Sequence, residues 1–217
     1  LWVDANTAPT ATPASDVVST IIPRKITLRG ADTDYDNGLT DRLSFFIDTV
    51  PAHGVLSTPE LLYCNESSAG VNCSAEVVYT PDPGTEATAD SFTFYVNDTH
   101  QNSTSVTFSL ELRAPTTLYV NATDDVVDEL GCNESHCSLR EAVLDAGIGD
   151  TIAFELSLPA TITLSEENRE ILIDKDIFIE GPGADQLAIS GAERDNRGVI
   201  VVGNFESPVT VNISGLT

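Results

Sequence analysis

Carboxylates are abundant among the side chains here that could do chemistry, and they cluster. Asp32, Asp34 and Asp36 alternate along one short stretch, while Asp124, Asp125, Asp128 and Glu129 crowd another. Alternating carboxylates can converge on a hard cation such as Ca2+, which takes about six to eight oxygen ligands. The EF-hand form of that loop is not met: its glycine would stand at position 37, the chain has Gly38, and no glutamate closes the loop. The competing reading of Asp32 to Asp36 is a solvated acidic turn, and the second cluster reads as a solvated loop.

Asparagine chemistry recurs as well. Asn65, Asn72, Asn97, Asn102, Asn121, Asn133 and Asn212 each open an N-x-S/T sequon, and five other asparagines do not. Such sequons mark surface loops of exported proteins, and an occupied asparagine must face solvent. The chain is therefore expected to be an extracellular or cell-surface glycoprotein carrying N-linked glycans. Four cysteines fall as two close pairs, which reads as disulfides Cys64–Cys73 and Cys132–Cys137, although four cysteines permit three connectivities. Zinc is the alternative, but apart from His136, inside the second cysteine loop, no residue offers the spacing of a further ligand pair.

Thirty-four acidic against ten basic residues give a formal charge of -24, which repels nucleic acid and anionic membranes. Only Lys25 and Lys175 represent lysine. An acidic, lysine-poor surface also suits salt-adapted proteins, but the sequons and paired cysteines weigh towards export. No apolar run approaches the roughly 18 residues of a membrane span, so no membrane insertion is expected.

The elements that must position these groups are strands. Between residues 16 and 113 apolar residues alternate, as in Ile26 and Leu28, Phe92, Phe94 and Val96, or Phe108, Leu110 and Leu112. Turn signals at Asp36-Asn37-Gly38, Ala52-His53-Gly54 and Pro81-Asp82-Pro83-Gly84 separate the runs, as in a β-sandwich. Leu61 to Tyr79 reads as a hairpin whose tip carries two sequons and is tied by Cys64 and Cys73. After a boundary at Arg113-Ala114-Pro115-Thr116, Ser138 and Glu141 form a capping box for the one convincing helix, with Gly147 at its end. Its apolar face, Leu139, Ala142, Val143 and Ala146, is expected to cover the end of a β core. Short apolar strands closed by Gly181, Gly191, Gly203 and Gly215 then follow, the recurrence of a parallel β-helix.

Two resemblances sharpen this. Asn6-Thr7-Ala8-Pro9, Ala31-Asp32-Thr33-Asp34, Pro51-Ala52-His53-Gly54-Val55-Leu56, Val78-Tyr79-Thr80-Pro81 and Asp90-Ser91-Phe92-Thr93-Phe94-Tyr95-Val96-Asn97-Asp98 resemble, in order, bacterial tandem cadherin-like or Ig-like repeats. That resemblance implies an extracellular spacer or adhesive module. It also implies a Ca2+ ligand set of Asp4, Asn6, Asp32, Asp34 and Asp98. Cys137-Ser138-Leu139-Arg140-Glu141-Ala142, Gly149-Asp150-Thr151-Ile152-Ala153-Phe154, Ile179-Glu180-Gly181-Pro182-Gly183-Ala184-Asp185 and Ile213-Ser214-Gly215-Leu216-Thr217 resemble the N-terminal part of CSLREA-type surface proteins, which implies a right-handed parallel β-helix.

The expectation is thus an all-β chain: an extended strand or linker over 1–9, an Ig/cadherin-like sandwich over 10–114, and a short, helix-capped right-handed parallel β-helix over 115–217. Enzyme activity is not expected. Asp174, Asp176, Glu180, Asp185 and Arg194 supply the residue types of β-helical polysaccharide lyases and hydrolases, but in no recognisable motif. His53, in the P-A-H-G turn, reads as structural, and His100 lies in another turn-like segment. Leu1-Trp2-Val3 stands where tandem repeats would place a preceding domain's last strand, and an apolar strand without its own partner is suited to β-strand addition. Copies of the chain joined head to tail through Leu1, Trp2 and Val3 would form an open filament. The alternative is a stretch of a long adhesin or stalk, binding through Ca2+ or carbohydrate. No cofactor is required beyond possible Ca2+.

Overall fold

A computed structural model describes residues 6–33, 43–67, 70–168, 170–191, 198–203 and 209–217. Among the described residues the protein is all-β with one short helix, and it divides into two compact units, Leu1–Ala114 and Pro115–Thr217. The expected residues Leu1, Trp2, Val3, Asp4, Asp34, Asp36 and Arg194 lie outside the described residues.

In the first unit the strands are β1 (Thr10–Ala11), β2 (Ala14–Ser19), β3 (Arg24–Asp32), β4 (Ser44–Thr49), β5 (Gly54–Leu56), β6 (Glu60–Ser67), β7 (Gly70–Pro81), β8 (Ala89–Asn97) and β9 (Val106–Arg113). One sheet runs β1-β3-β7-β5, with β6 also on β7; the other runs β2-β9-β8-β4. β2 and β9 pair in parallel, and the other ladders are antiparallel. Alternation then decides the core. Ile26 and Leu28 of β3 and Val71, Ala75, Val77 and Tyr79 of β7 turn inward against Phe92, Phe94, Val96, Phe108 and Leu110 of the second sheet. Phe92 sits opposite Phe108, their rings stacked with centroids 5.2 Å apart. Gly30 is needed because a Cβ there would lie 2.7 Å from Val96. The β6–β7 hairpin places Cys64 directly opposite Cys73, and the two form a disulfide.

The second unit starts with β10 (Thr117–Val120) and reaches α1 (Leu139–Asp145) through a long loop closed by the Cys132–Cys137 disulfide. Ser138 caps α1 and Glu141 completes the capping box. The strands β11 (Thr151–Phe154), β12 (Ala160–Thr163), β13 (Ile171–Ile173), β14 (Ile177–Glu180), β15 (Leu187–Ser190), β16 (Ile200–Val202) and β17 (Val211–Ser214) follow. Every ladder is parallel: β10-β11-β14-β17, β12-β15 and β13-β16. Three strands therefore make one coil, and the next coil lies on it in register. Ile152 pairs with Ile179, Ile162 with Ile189, and Ile171 with Ile200, so like side chains stack through the interior. The recurring glycines close successive faces of the coil rather than successive coils. Gly181 and Gly215 meet across two coils so closely that a Cβ on either would lie 2.2 Å from the other's carbonyl oxygen. Leu139, Ala142 and Val143 of α1 are buried in the same core, against β10 and β13.

Core and surface aromatics of the β2-β9-β8-β4 sheet should separate sharply. Phe94→Ala, at a fully buried position, is expected to cost about 3–5 kcal/mol. Phe46→Ala removes an outer-face ring that stacks on Tyr95 and is 43% exposed, and is expected to cost about 1 kcal/mol. Urea denaturation of the two variants checks the contrast; equal losses would mean that the inner layer is not the core.

Candidate functional site

Three of the motifs picked out in the sequence converge on Asp90. Its Oδ1 accepts N–H groups from Ala52 (2.9 Å) and Ser91 (2.8 Å), and its Oδ2 accepts that of His53 (2.9 Å). The hydroxyl of Tyr79, buried in the core, lies 3.1 Å from both Asp90 Oδ2 and the His53 carbonyl. Gly54 completes this knot, since a Cβ would come within 2.6 Å of the Tyr79 ring and the Thr80 carbonyl. Burial works to raise the Asp90 pKa, but the N–H groups of Ala52, His53 and Ser91 and the Tyr79 hydroxyl outweigh it and hold the carboxyl below its usual range. Tyr79 moves the other way, raised by burial and then by Asp90. P-A-H-G, V-x-Y-T-P and D-S-F are thus one turn lock.

The remaining motifs meet at the other end of β8, around Asp98. Asn6 donates its Nδ2 to Asp98 Oδ2 at 2.9 Å, and Gln101 donates its side-chain amide to the Asn6 carbonyl at 2.9 Å. Asp98 is fully buried, and its Oδ1 takes the N–H groups of His100 (2.7 Å) and Gln101 (2.6 Å). Of the expected Ca2+ ligands, Asn6 and Asp98 are therefore brought together, but by a donor–acceptor bond. Asp32 is buried on β3, and Thr7 and Thr33 hydroxyls lie 3.3 Å apart.

The sequon asparagines differ in what their amides already do. Asn65 and Asn72 are paired across β6 and β7 and both are exposed, as are Asn102 and Asn212. Asn133 is half-buried and donates one amide hydrogen, to the Gly131 carbonyl. Asn97 donates to both the Gln101 carbonyl and Asn102 Oδ1, and Asn121 to the carbonyls of Asn133 and Glu134. An N-linked glycan leaves the amide nitrogen a single hydrogen, so Asn97 and Asn121 would each give up an internal bond to carry one.

Asp124 to Glu141 form the densest constellation. Asp125, expected to be solvated, is only 5% exposed. It accepts from Arg140 Nε (2.8 Å) and Nη2 (3.1 Å), from the Ser165 N–H and from Asn168. Burial would raise its pKa, and the Arg140, Ser165 and Asn168 donors overcome this and lower it. Its neighbours Asp124, Asp128 and Glu129 are exposed, as expected. Glu141, 1% exposed, accepts the N–H groups of Asp128 (2.7 Å) and Ser138 (2.8 Å). His136 stands among them, with Nε2 3.2 Å from Asp124 and Nδ1 3.0 Å from Glu141 and 3.7 Å from Asp128. Partial burial opposes a charged ring, but the Asp124 hydrogen bond and the charges of Glu141, Asp124 and Asp128 raise the His136 pKa. The spacing of His136 from these acids carried no motif, so sequence reading missed the group.

Of the polysaccharide-enzyme set, Arg194 lies outside the described residues. Asp176 accepts the Thr210 N–H, Asp185 holds Gln186 beside it, and Asp174 and Glu180 are exposed.

No protein-family profile and no curated protein matches the chain. Among solved structures it is similar to the endo-fucoidan hydrolase MfFcnA4 from glycoside hydrolase family 107, at 13% identity over 58% of this chain and 19% of that one, with a TM-score of 0.35. A variant of the same hydrolase aligns at 20% identity over 52% of this chain and 14% of that one, with a TM-score of 0.31. The chain spans less than a fifth of those proteins' length, and likeness at this level carries no argument about activity.

Asp90 has a pKa lowered on folding, so its stabilisation is fully present above the unfolded carboxylate value of about 3.9 and is lost as pH falls through the lower folded value. Asp90→Asn is expected to cost about 1–3 kcal/mol near neutral pH by leaving turn N–H groups unpaired. The gap to wild type should narrow once the wild-type carboxyl protonates. Denaturation series at neutral and strongly acid pH check this; a gap independent of pH would show that the charge plays no part.

Proposed function

We propose that this chain is a glycosylated structural protein of the extracellular or cell-surface space, a subunit of a head-to-tail assembly joined by β-strand addition, and not an enzyme. The observation that carries the reading is the β6–β7 hairpin. It ties Cys64 to Cys73 within the strand pair and presents Asn65 and Asn72 side by side to solvent, so that stapling and glycan display use one element. Both modifications belong to an oxidising, exported setting. Strand edges support assembly. Among the described residues, β6 and β10 each pair on one side, and β6 also exposes Leu61, Leu62 and Tyr63 consecutively. Such edges accept a further strand from another chain.

A second reading, a segment of a long surface stalk or adhesin, is favoured by the separate core of each unit, since independent modules are what a stalk strings together.

The charge of -24 makes like copies repel, so association is expected to strengthen as salt rises. Electron microscopy of native material checks the main reading: regular fibres are expected, weakened by deletion of residues 1–8, whereas irregular stalks indifferent to that deletion would favour the second. Glycopeptide mass spectrometry should find Asn65, Asn72, Asn102 and Asn212 occupied and Asn97 and Asn121 bare. A chain with no occupied site would remove the glycoprotein reading.

A further inference from the structure

We propose that Asp128, His136 and Glu141 form a binding site for a divalent transition-metal ion, with Asp124 orienting the histidine. One ligand atom from each of the three residues lies within 4.8 Å of the other two, and His136 Nδ1 stands 3.7 Å from Asp128 Oδ2 and 3.0 Å from Glu141 Oε2. Metal bonds of about 2.1 Å set neighbouring donors about 3.0 Å apart in an octahedral shell and about 3.4 Å apart in a tetrahedral one. The nitrogen-to-oxygen separations of 3.0 and 3.7 Å bracket those edges.

The state of His136 Nδ1 separates a metal from a simple ion pair. That nitrogen is buried and makes no hydrogen bond, although Glu141 Oε2 is only 3.0 Å away. A proton on Nδ1 would point past both carboxylates and remain an unpaired buried donor, which costs about 1–3 kcal/mol. A cation lying between the three donors instead uses the nitrogen lone pair and both oxygens together. Nε2 faces Asp124 at 3.2 Å, the carboxylate–histidine arrangement that fixes which ring nitrogen is free to ligate.

The remaining ligand atoms are held by the backbone. Asp128 Oδ1 accepts the Leu130 N–H, leaving Oδ2 for the site, and Glu141 is fixed by the N–H groups of Asp128 and Ser138. Side-chain exposure grades from 1% at Glu141 through 25% at His136 to 37% at Asp128, giving a buried floor and an open rim. Solvent would complete the shell at that rim. One imidazole and two carboxylates suit Zn2+ or Co2+ better than Ca2+, which prefers oxygen alone. Arg140, the adjacent cation in sequence, is directed to Asp125 and leaves the charge here to be met by the ion.

The test uses the full, disulfide-bonded chain, stripped with a chelator and titrated with Zn2+ by calorimetry and with Co2+ by visible absorption. One saturable equivalent is expected, with a Co2+ spectrum showing nitrogen ligation. His136→Gln should abolish it, and Asp124→Asn should weaken it about 10–100-fold. Asp128→Asn keeps the oxygen that accepts from Leu130, so the loop is retained, and should weaken binding at least tenfold; circular dichroism checks the fold of each variant. Absence of saturable uptake overturns the proposal. So does uptake that survives both His136→Gln and Asp128→Asn, since the ion would then sit elsewhere on the acidic surface.

Discussion

Among the described residues, backbone N–H groups, rather than lysine and arginine, stabilise most of the carboxylates that this fold buries. With thirty-four acidic residues and ten basic ones, side-chain cations are too few to pair every acid. Asp90, Asp98, Glu141 and Asp150 instead accept main-chain donors; Asp150, fully buried, takes the N–H groups of Thr116 and Gly147. A carboxylate hydrogen bond of this kind is about twice as strong as a neutral one, and each donor belongs to a turn, a cap or a strand entry. Acidic residues here therefore fix where the chain reverses. Asp125 departs from the pattern by drawing Arg140, and it does so while bridging the loop to Ser165 and Asn168.

Most of the strand content was legible because it rests on local alternation. Ile26, Leu28, Phe92, Phe94, Phe108 and Leu110 are buried because a period of two leaves them on one side of a half-buried strand. The capping box at Ser138 and Glu141 was equally legible, since its two partners are three residues apart. What could not be read was the use of a polar group whose partner is distant in sequence. Asp125 looked like one more member of an exposed run, but its partners stand 15 to 43 residues on. The Asp90 lock was visible as motifs, but not as one hydrogen-bonded object, because Ala52, Tyr79 and Asp90 meet only once three strands are aligned.

Asparagine shows the same limit from another side. A sequon is a three-residue pattern, so all seven look alike in sequence. Folding makes them unlike. Asn121 spends its whole amide, donating twice to the disulfide loop and accepting the Cys137 N–H, whereas Asn65 and Asn72 stand outward on a strand pair. The density of a motif is a property of the sequence, but its availability belongs to the fold.

The parallel pairing of β2 with β9 has a mechanical meaning. Ala14 aligns with Phe108 and Ser19 with Arg113, so the chain enters this ladder at one end and leaves it at the other. Tension drawn along the polypeptide would first strip the two-residue β1 and then pull β2 and β9 past each other lengthwise. Their hydrogen bonds would be loaded all at once, in shear, and would not open one after another like a zip. The first unit is thus wired to bear a pulling force along the chain, whatever lies on either side of it.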